Sequence, residues 1–172
     1  GRGLLMVSDE ASTLDNGDIV ITDQPAGLEP ATAEVAIRGL AGGNDAFGWY
    51  DAAQGTITYR ADATGSFADG VTIWSGFGDD TIRIDGASVR SGVRTVTTLN
   101  TGLGDDTVYV NLDAVAAGSD KADGVVVLNT QGPWNDYPTL SDADTVIATG
   151  SDAGLGGAFE STLPLIVFGG QG

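Results

Sequence analysis

Residues 75–85 read SGFGDDTIRID, and residues 101–111 read TGLGDDTVYVN. Both stretches set two adjacent aspartates behind a pair of glycines. Asp79 and Asp80 follow Gly76 and Gly78; Asp105 and Asp106 follow Gly102 and Gly104. Adjacent carboxylates repel each other, so a repeated pair needs something that draws both charges in. A cation between successive turns would do this. Glycine reaches φ > 0 readily and lets main-chain carbonyls turn inward. Carboxylates with carbonyls make the hard oxygen cage that Ca2+ prefers, whereas Mg2+ demands a stricter octahedron. These four glycines and four aspartates are the leading candidate calcium ligands. Weaker versions of the pattern, GLAGGND at residues 39–45 and SDADTVI at residues 141–147, add Asp45 and Asp144. Asp15 and Asp152 fall outside any repeat.

Composition narrows the partners. Acidic residues outnumber basic ones 24 to 7, for a net charge of −17, and 20 of the acids are Asp. That field repels nucleic acid and anionic membranes. Asp in place of Glu favours turns and hard-cation sites over helical surface. With no Cys and no His, disulfides, thiolate or imidazole metal sites, and Ser-His-Asp or Cys-His catalysis are excluded. Oxygen-ligand metals remain. The apolar run at residues 4–7, LLMV, is too short for a membrane span or a signal core, so no membrane insertion is expected. An Asp-rich, Gly-rich, Cys-free chain suits an extracellular protein, secreted or at the cell surface, that uses calcium in place of disulfides.

The elements that would position these turns are strands. Short β-branched segments bounded by Gly, Asp or Asn recur: DIVITD from residue 18, EVAIRG from 34, GTITYRAD from 55, GVTIWSG from 70, RTVTTLNTG from 94, GVVVLNTQG from 124, DTVIATG from 144 and LPLIVFGGQG from 163. Residues 112–124 read as a loop with one helical turn. The order strand, glycine turn, acid, strand returns at Ile37, Ile73, Leu99, Leu128 and Val167, and periods of about 20–50 residues mark stacked units. Residues 133–144, PWNDYPTLSDAD, read as a loop erupting from the stack. The sequence therefore predicts one all-β domain over residues 1–172, a parallel β-solenoid of the β-helix or β-roll kind with loop insertions. It is either a whole protein or a segment of a longer repeat protein. The alternative is an antiparallel β-sandwich. Runs such as VVVL and LIVF lack alternation, and a sandwich has no reason to repeat one turn after one strand, which favours the stack.

The turns resemble the nonapeptide G-G-x-G-x-D-x-U-x of RTX (haemolysin-type) calcium-binding proteins, where U is a large aliphatic residue. SGFGDDTIR and TGLGDDTVY match eight of nine positions each, with Ser75 and Thr101 in place of the first glycine; GGQG at residues 169–172 matches the first four. The resemblance implies Ca2+ held between coils of a parallel β-roll by turn carbonyls and the sixth-position aspartates, here Asp80 and Asp106. Family repeats follow one another every nine residues, while these lie tens of residues apart. That implies a wider, β-helix-like coil.

Aromatic residues fall in two groups, Trp49 with Tyr50 and Trp134 with Tyr137. Trp134 and Tyr137 sit in PWNDYP and suit sugar stacking or a protein contact, or else cover the coil beneath. The expected role is structural or adhesive: a calcium-stabilised subunit of a surface protein, adhesin or filament, and not an enzyme. The alternative is a carbohydrate-active β-helix domain, a polysaccharide lyase or sugar-binding module. Paired carboxylates can run glycoside chemistry, and Arg83 and Arg90 lie near the first turn, although nothing marks a catalytic residue. A third option is the folding and secretion module of a larger toxin or enzyme. Apolar strands at residues 4–7, from Leu4 to Val7, and at 165–168, from Leu165 to Phe168, predict that the C-terminal strand is completed edge to edge. Either further repeats of the same polypeptide complete it, or head-to-tail self-association with the N-terminal strand of a neighbouring subunit does.

Overall fold

The structure, a computed structural model, describes residues 3–22, 35–40, 57–59, 70–85, 95–111, 124–130, 143–149 and 165–169. Among the described residues there are eleven strands and no helix. They are β1 (Leu4–Ser8), β2 (Ile19–Thr22), β3 (Val35–Arg38), β4 (Ile57–Tyr59), β5 (Gly70–Trp74), β6 (Thr81–Ile84), β7 (Thr95–Asn100), β8 (Thr107–Asn111), β9 (Gly124–Asn129), β10 (Thr145–Thr149) and β11 (Leu165–Phe168). Eight fall on the β-branched segments, where stiff side chains fit a pleated surface; β6 and β8 complete the two Gly-Asp-Asp stretches, and β1 lies on the apolar run LLMV.

Two sheets result. Sheet A has the order β1-β5-β7-β9-β11, and every neighbour in it runs parallel. Sheet B has the order β10-β8-β6-β2-β3-β4. Its first four strands are parallel, and β3 and β4 are added antiparallel at one edge. The chain alternates between sheets: β5 lies in A, β6 in B, β7 in A, β8 in B, β9 in A, β10 in B and β11 in A. Parallel neighbours cannot be joined by a tight hairpin; here the connection between neighbours in one sheet runs through a strand of the other. A two-sheet arrangement is shared with the β-sandwich alternative, but the strand directions are not. Antiparallel pairing holds only for β2–β3 and β3–β4 among the described strands.

Register decides which side chains face inward. In sheet A, Val7, Ile73, Leu99, Leu128 and Val167 occupy one cross-strand row. In sheet B, Ile19, Ile82, Val108 and Val146 form one row, and Ile21, Ile84, Val110 and Ala148 the next. Val71, Ile73, Leu99, Val126 and Leu128 from A meet Ile19, Ile21, Ile82, Ile84, Val108 and Val110 from B in one buried cluster. Full burial of such a side chain contributes roughly 1.5–3 kcal/mol, so this cluster sets the spacing of the turns that link the sheets.

Two expectations shift. Ile37 does not mark a unit of the repeat: β3 pairs antiparallel with β2 and places Ile37 opposite Ile21. The unit beside Ile73 is supplied by Val7 of β1. Residues 35–40 have the local pattern of strand then glycine, but their buried partner is the edge of β2, where Ile37 is fully covered. The apolar run LIVF also differs from VVVL. β11 is an edge strand, and Ile166, Val167 and Phe168 are 47%, 45% and 52% exposed.

Candidate metal centre

The turns between paired strands stack directly on one another. Phe77 N donates to Ser12 O at 2.8 Å, and Leu103 N to Gly76 O at 3.3 Å. At the far end of each turn, Thr81 N donates to Asn16 O at 2.9 Å, Thr107 N to Asp80 O at 2.8 Å and Thr145 N to Asp106 O at 2.8 Å. This contact requires glycine. Gly76, Gly102 and Gly104 have φ of 132°, 96° and 126°, and a Cβ on Gly102 would strike the carbonyl oxygen of Gly76. Gly78 has an ordinary φ, yet a Cβ there would strike the carbonyl of Leu14. The glycines thus serve close stacking, and the Gly76 carbonyl runs along the stack to Leu103.

The paired aspartates form two ladders that run in opposite directions. In the outer ladder each carboxylate reaches to the following turn. Asp15 Oδ1 accepts from Asp79 N at 3.0 Å, Asp79 Oδ1 from Asp105 N at 2.9 Å, and Asp105 Oδ1 from Ala143 N at 3.0 Å. In the inner ladder each carboxylate reaches to the preceding turn. Asp80 Oδ1 accepts from Asn16 N at 2.8 Å, Asp106 Oδ1 from Asp80 N at 2.8 Å, and Asp144 Oδ1 from Asp106 N at 3.1 Å. Hydrogen bonds from N–H to a charged carboxylate are among the stronger ones in proteins. Adjacent acids therefore serve two neighbours, one on each side.

The ladders differ in exposure. Asp79 and Asp105 lie at the surface, while Asp80 and Asp106 are 1% and 0% exposed. The second oxygens of Asp80 and Asp106, Oδ2, are buried without a hydrogen-bond partner, as is Thr101 Oγ1. Thr101 lies beside Asp106 and Ser75 beside Asp80. Thr101 Oγ1 and Asp106 Oδ2 are nonetheless not aligned into a hydrogen bond. These hydroxyls occupy the first motif position, where the family pattern has glycine, and they face the carboxylate of their own turn. Burial pushes both inner carboxyls up from the usual 3.8, Asp106 to about 7. For Asp106 the hydrogen bond from Asp80 N and the nearby Thr101 hydroxyl oppose that rise, and the neighbouring charges of Asp80 and Asp144 add to it.

Of the expected ligands, Asp79, Asp80, Asp105, Asp106 and Asp144 thus come together at one corner, with Gly76, Gly78, Gly102 and Gly104 beside them. Asp45, Trp134 and Tyr137 lie outside the described residues, as do Trp49, Tyr50 and Arg90. Among the described residues no three acidic side chains converge at metal-binding distance. Arg83 is exposed on the outer face of sheet B, in register with Tyr109. Two residues of the corner carry no motif signal. Asp15 belongs to the outer ladder and is not outside the repeat, and Asn16 holds the inner position of the first turn. The first turn reads LDNGD, without the paired glycines, so only a search for an adjacent acid and amide ahead of a strand would have found it. No known protein family matches the chain, and neither a curated protein nor a solved structure does.

Proposed function

We propose that this chain is an extracellular structural or adhesive segment, a parallel β-solenoid whose stacked Gly-Asp-Asp turns are stabilised by calcium. The alternation of the chain between two parallel sheets supports the coil, each sheet-A strand with its sheet-B partner making one rung. One observation carries the calcium reading. The Oδ2 atoms of Asp80 and Asp106 are buried without partners, and an ionised carboxylate left so loses several kcal/mol of solvation. Equivalent atoms on adjacent rungs repeat at about 4.8 Å, so a cation of calcium's size can touch both. The donor set fits a hard ion: carboxylate oxygens, with the Thr101 hydroxyl at hand. The Oδ1 atoms and the Gly76 carbonyl are engaged in the stack, so the ion would draw on the atoms the ladders leave over. Bound calcium would supply the positive charge that lets the inner carboxylates stay ionised while buried.

Assembly follows from the edges. Among the described strands β1 and β11 have no outer neighbour in sheet A, and Leu4, Met6, Ile166 and Phe168 are exposed there. Head-to-tail association of copies would add β11 of one to β1 of the next. In sheet B the edge of β2 is already taken by β3, so the contact would be made through sheet A. The test of the calcium reading is thermal unfolding of the 172-residue chain with calcium and with excess chelator. At calcium about 100 times its dissociation constant, binding stabilises by about 2.7 kcal/mol, a rise in Tm on the order of 5–10 °C for a chain of this size. Identical melting in both conditions would overturn it.

A further inference from the structure

We propose that the first turn carries a cation site of its own, in which the amide oxygen of Asn16 and the second carboxylate oxygen of Asp80 are ligands. The proposal rests on the calcium reading of Asp80 and Asp106 and extends it to a turn without the Gly-x-Gly-Asp-Asp pattern. Asn16 is 2% exposed. Its backbone N donates to Asp80 Oδ1 at 2.8 Å, and its Nδ2 donates to the same oxygen at 3.1 Å and to Ser75 O at 3.4 Å. These bonds fix the orientation of the amide: a flipped side chain would set oxygen against the carboxylate. Asn16 Oδ1 is then left buried with no partner, and so is Asp80 Oδ2. A stranded buried acceptor costs about 1–3 kcal/mol, and the amide oxygen of Asn is an ordinary calcium ligand. The rung pair of Asp80 and Asp106 offers two carboxylates, whereas Asn16 and Asp80 offer one carboxylate and one neutral oxygen. Affinity rises with ligand charge, so the Asn16 site is the weaker of the two.

Calcium titration of the full chain by calorimetry, with equilibrium dialysis for stoichiometry, tests this with Asn16→Ala and Asn16→Asp. Two classes of site are expected in the unaltered protein, with Asn16→Ala losing the weaker class and keeping the tighter. Asn16→Asp is expected to be less stable than the parent in chelator, because a carboxylate cannot donate to Asp80 Oδ1. In calcium it is expected to bind the weaker class at least tenfold more tightly and recover its stability. If Asn16→Ala fails to fold, the Asn16→Asp arm decides. The same number of ions bound at the same affinities with and without Asn16 would overturn the inference while leaving the reading of Asp80 and Asp106 intact. So would an Asn16→Asp variant equally destabilised in chelator and in calcium, since that marks a hydrogen-bonding role alone. No calcium bound by the unaltered protein would overturn both.

Discussion

Replacing Asp106 by Asn isolates the energy stored at the inner corner. The substitution keeps an oxygen to accept from Asp80 N, a bond of 2.8 Å, and removes a charge from a site with no solvent exposure. Burial raises the Asp106 carboxyl from 3.8 to about 7. A rise of about three pH units, at about 1.4 kcal/mol per unit, is on the order of 4 kcal/mol. Its sign follows from proton linkage. Between pH 4 and pH 7 the folded chain binds this proton and the unfolded chain does not, so stability falls as pH rises through that window. In chelator, denaturant unfolding of the parent protein is therefore expected to weaken from pH 4 to pH 8. Self-repulsion at −17 acts in the same direction, and comparison with Asp106→Asn cancels it. The variant should lose less stability over the window and exceed the parent at pH 8 in chelator by up to about 4 kcal/mol. Calcium is expected to reverse that order, stabilising the parent more than the variant. Parallel pH profiles for the two proteins in chelator, or a variant less stable than the parent at pH 8, would refute the reasoning.

Two further outcomes test the stacking itself. Gly102→Ala is expected to destabilise by about 2–4 kcal/mol, because residue 102 has a left-handed φ of 96° and its Cβ would strike the Gly76 carbonyl; Gly17→Ala, which meets nothing within 4 Å, is the matched control in thermal unfolding. Asp79→Ala and Asp15→Ala should each lose about 0.5–1.5 kcal/mol by freeing a backbone N–H of the next turn, whereas exposed Glu10→Ala should stay within about 0.5 kcal/mol, and Asp79→Asn should restore most of the loss.

Strands were legible because a local signal sets them: β-branched residues between turn formers point to a pleated surface wherever they fall. Pairing was legible only where the turn chemistry repeats. SGFGDD and TGLGDD announce that β5 and β7 are equivalent, and the register of Ile73 with Leu99 agrees. No comparable signal marks β1. Its turn has Ser12 and Leu14 where the others have Gly76 and Gly78, because a glycine is needed only where a preceding turn crowds it. The pattern on residues 35–40 misleads for the converse reason. A strand followed by glycine is a local feature, and which edge it joins depends on what else lies open. At the corner, the sequence identified Asp79, Asp80, Asp105, Asp106 and Asp144 as neighbours and missed Asp15. It did not show that each Oδ1 is engaged along the stack, since the hydrogen-bond partners are 26, 38 or 64 residues away.

The opposite directions of the two ladders account for the placement of the acids that form them. An outer carboxylate serves the N–H of the following turn, and an inner one serves the N–H of the preceding turn. Four stacked turns then need outer acids in the first three and inner acids in the last three. The outer positions read Asp15, Asp79, Asp105 and Ala143, and the inner ones Asn16, Asp80, Asp106 and Asp144. Both departures fall where the ladder has no use for a carboxylate: no earlier turn presents an N–H to residue 16, and no later one to residue 143, among the described residues. Asn16 does more than omit a charge. A carboxylate there would face the accepting oxygen of Asp80, whereas the amide sends it a second N–H. The paired aspartates are thus accounted for as hydrogen-bond acceptors before any ion is considered. What the ladders leave over on the buried side of the first three turns includes Asn16 Oδ1, Asp80 Oδ2, Asp106 Oδ2 and the Thr101 hydroxyl. A calcium requirement, if measured, must act through that column, because the outer acids already meet solvent and gain little from a counter-ion.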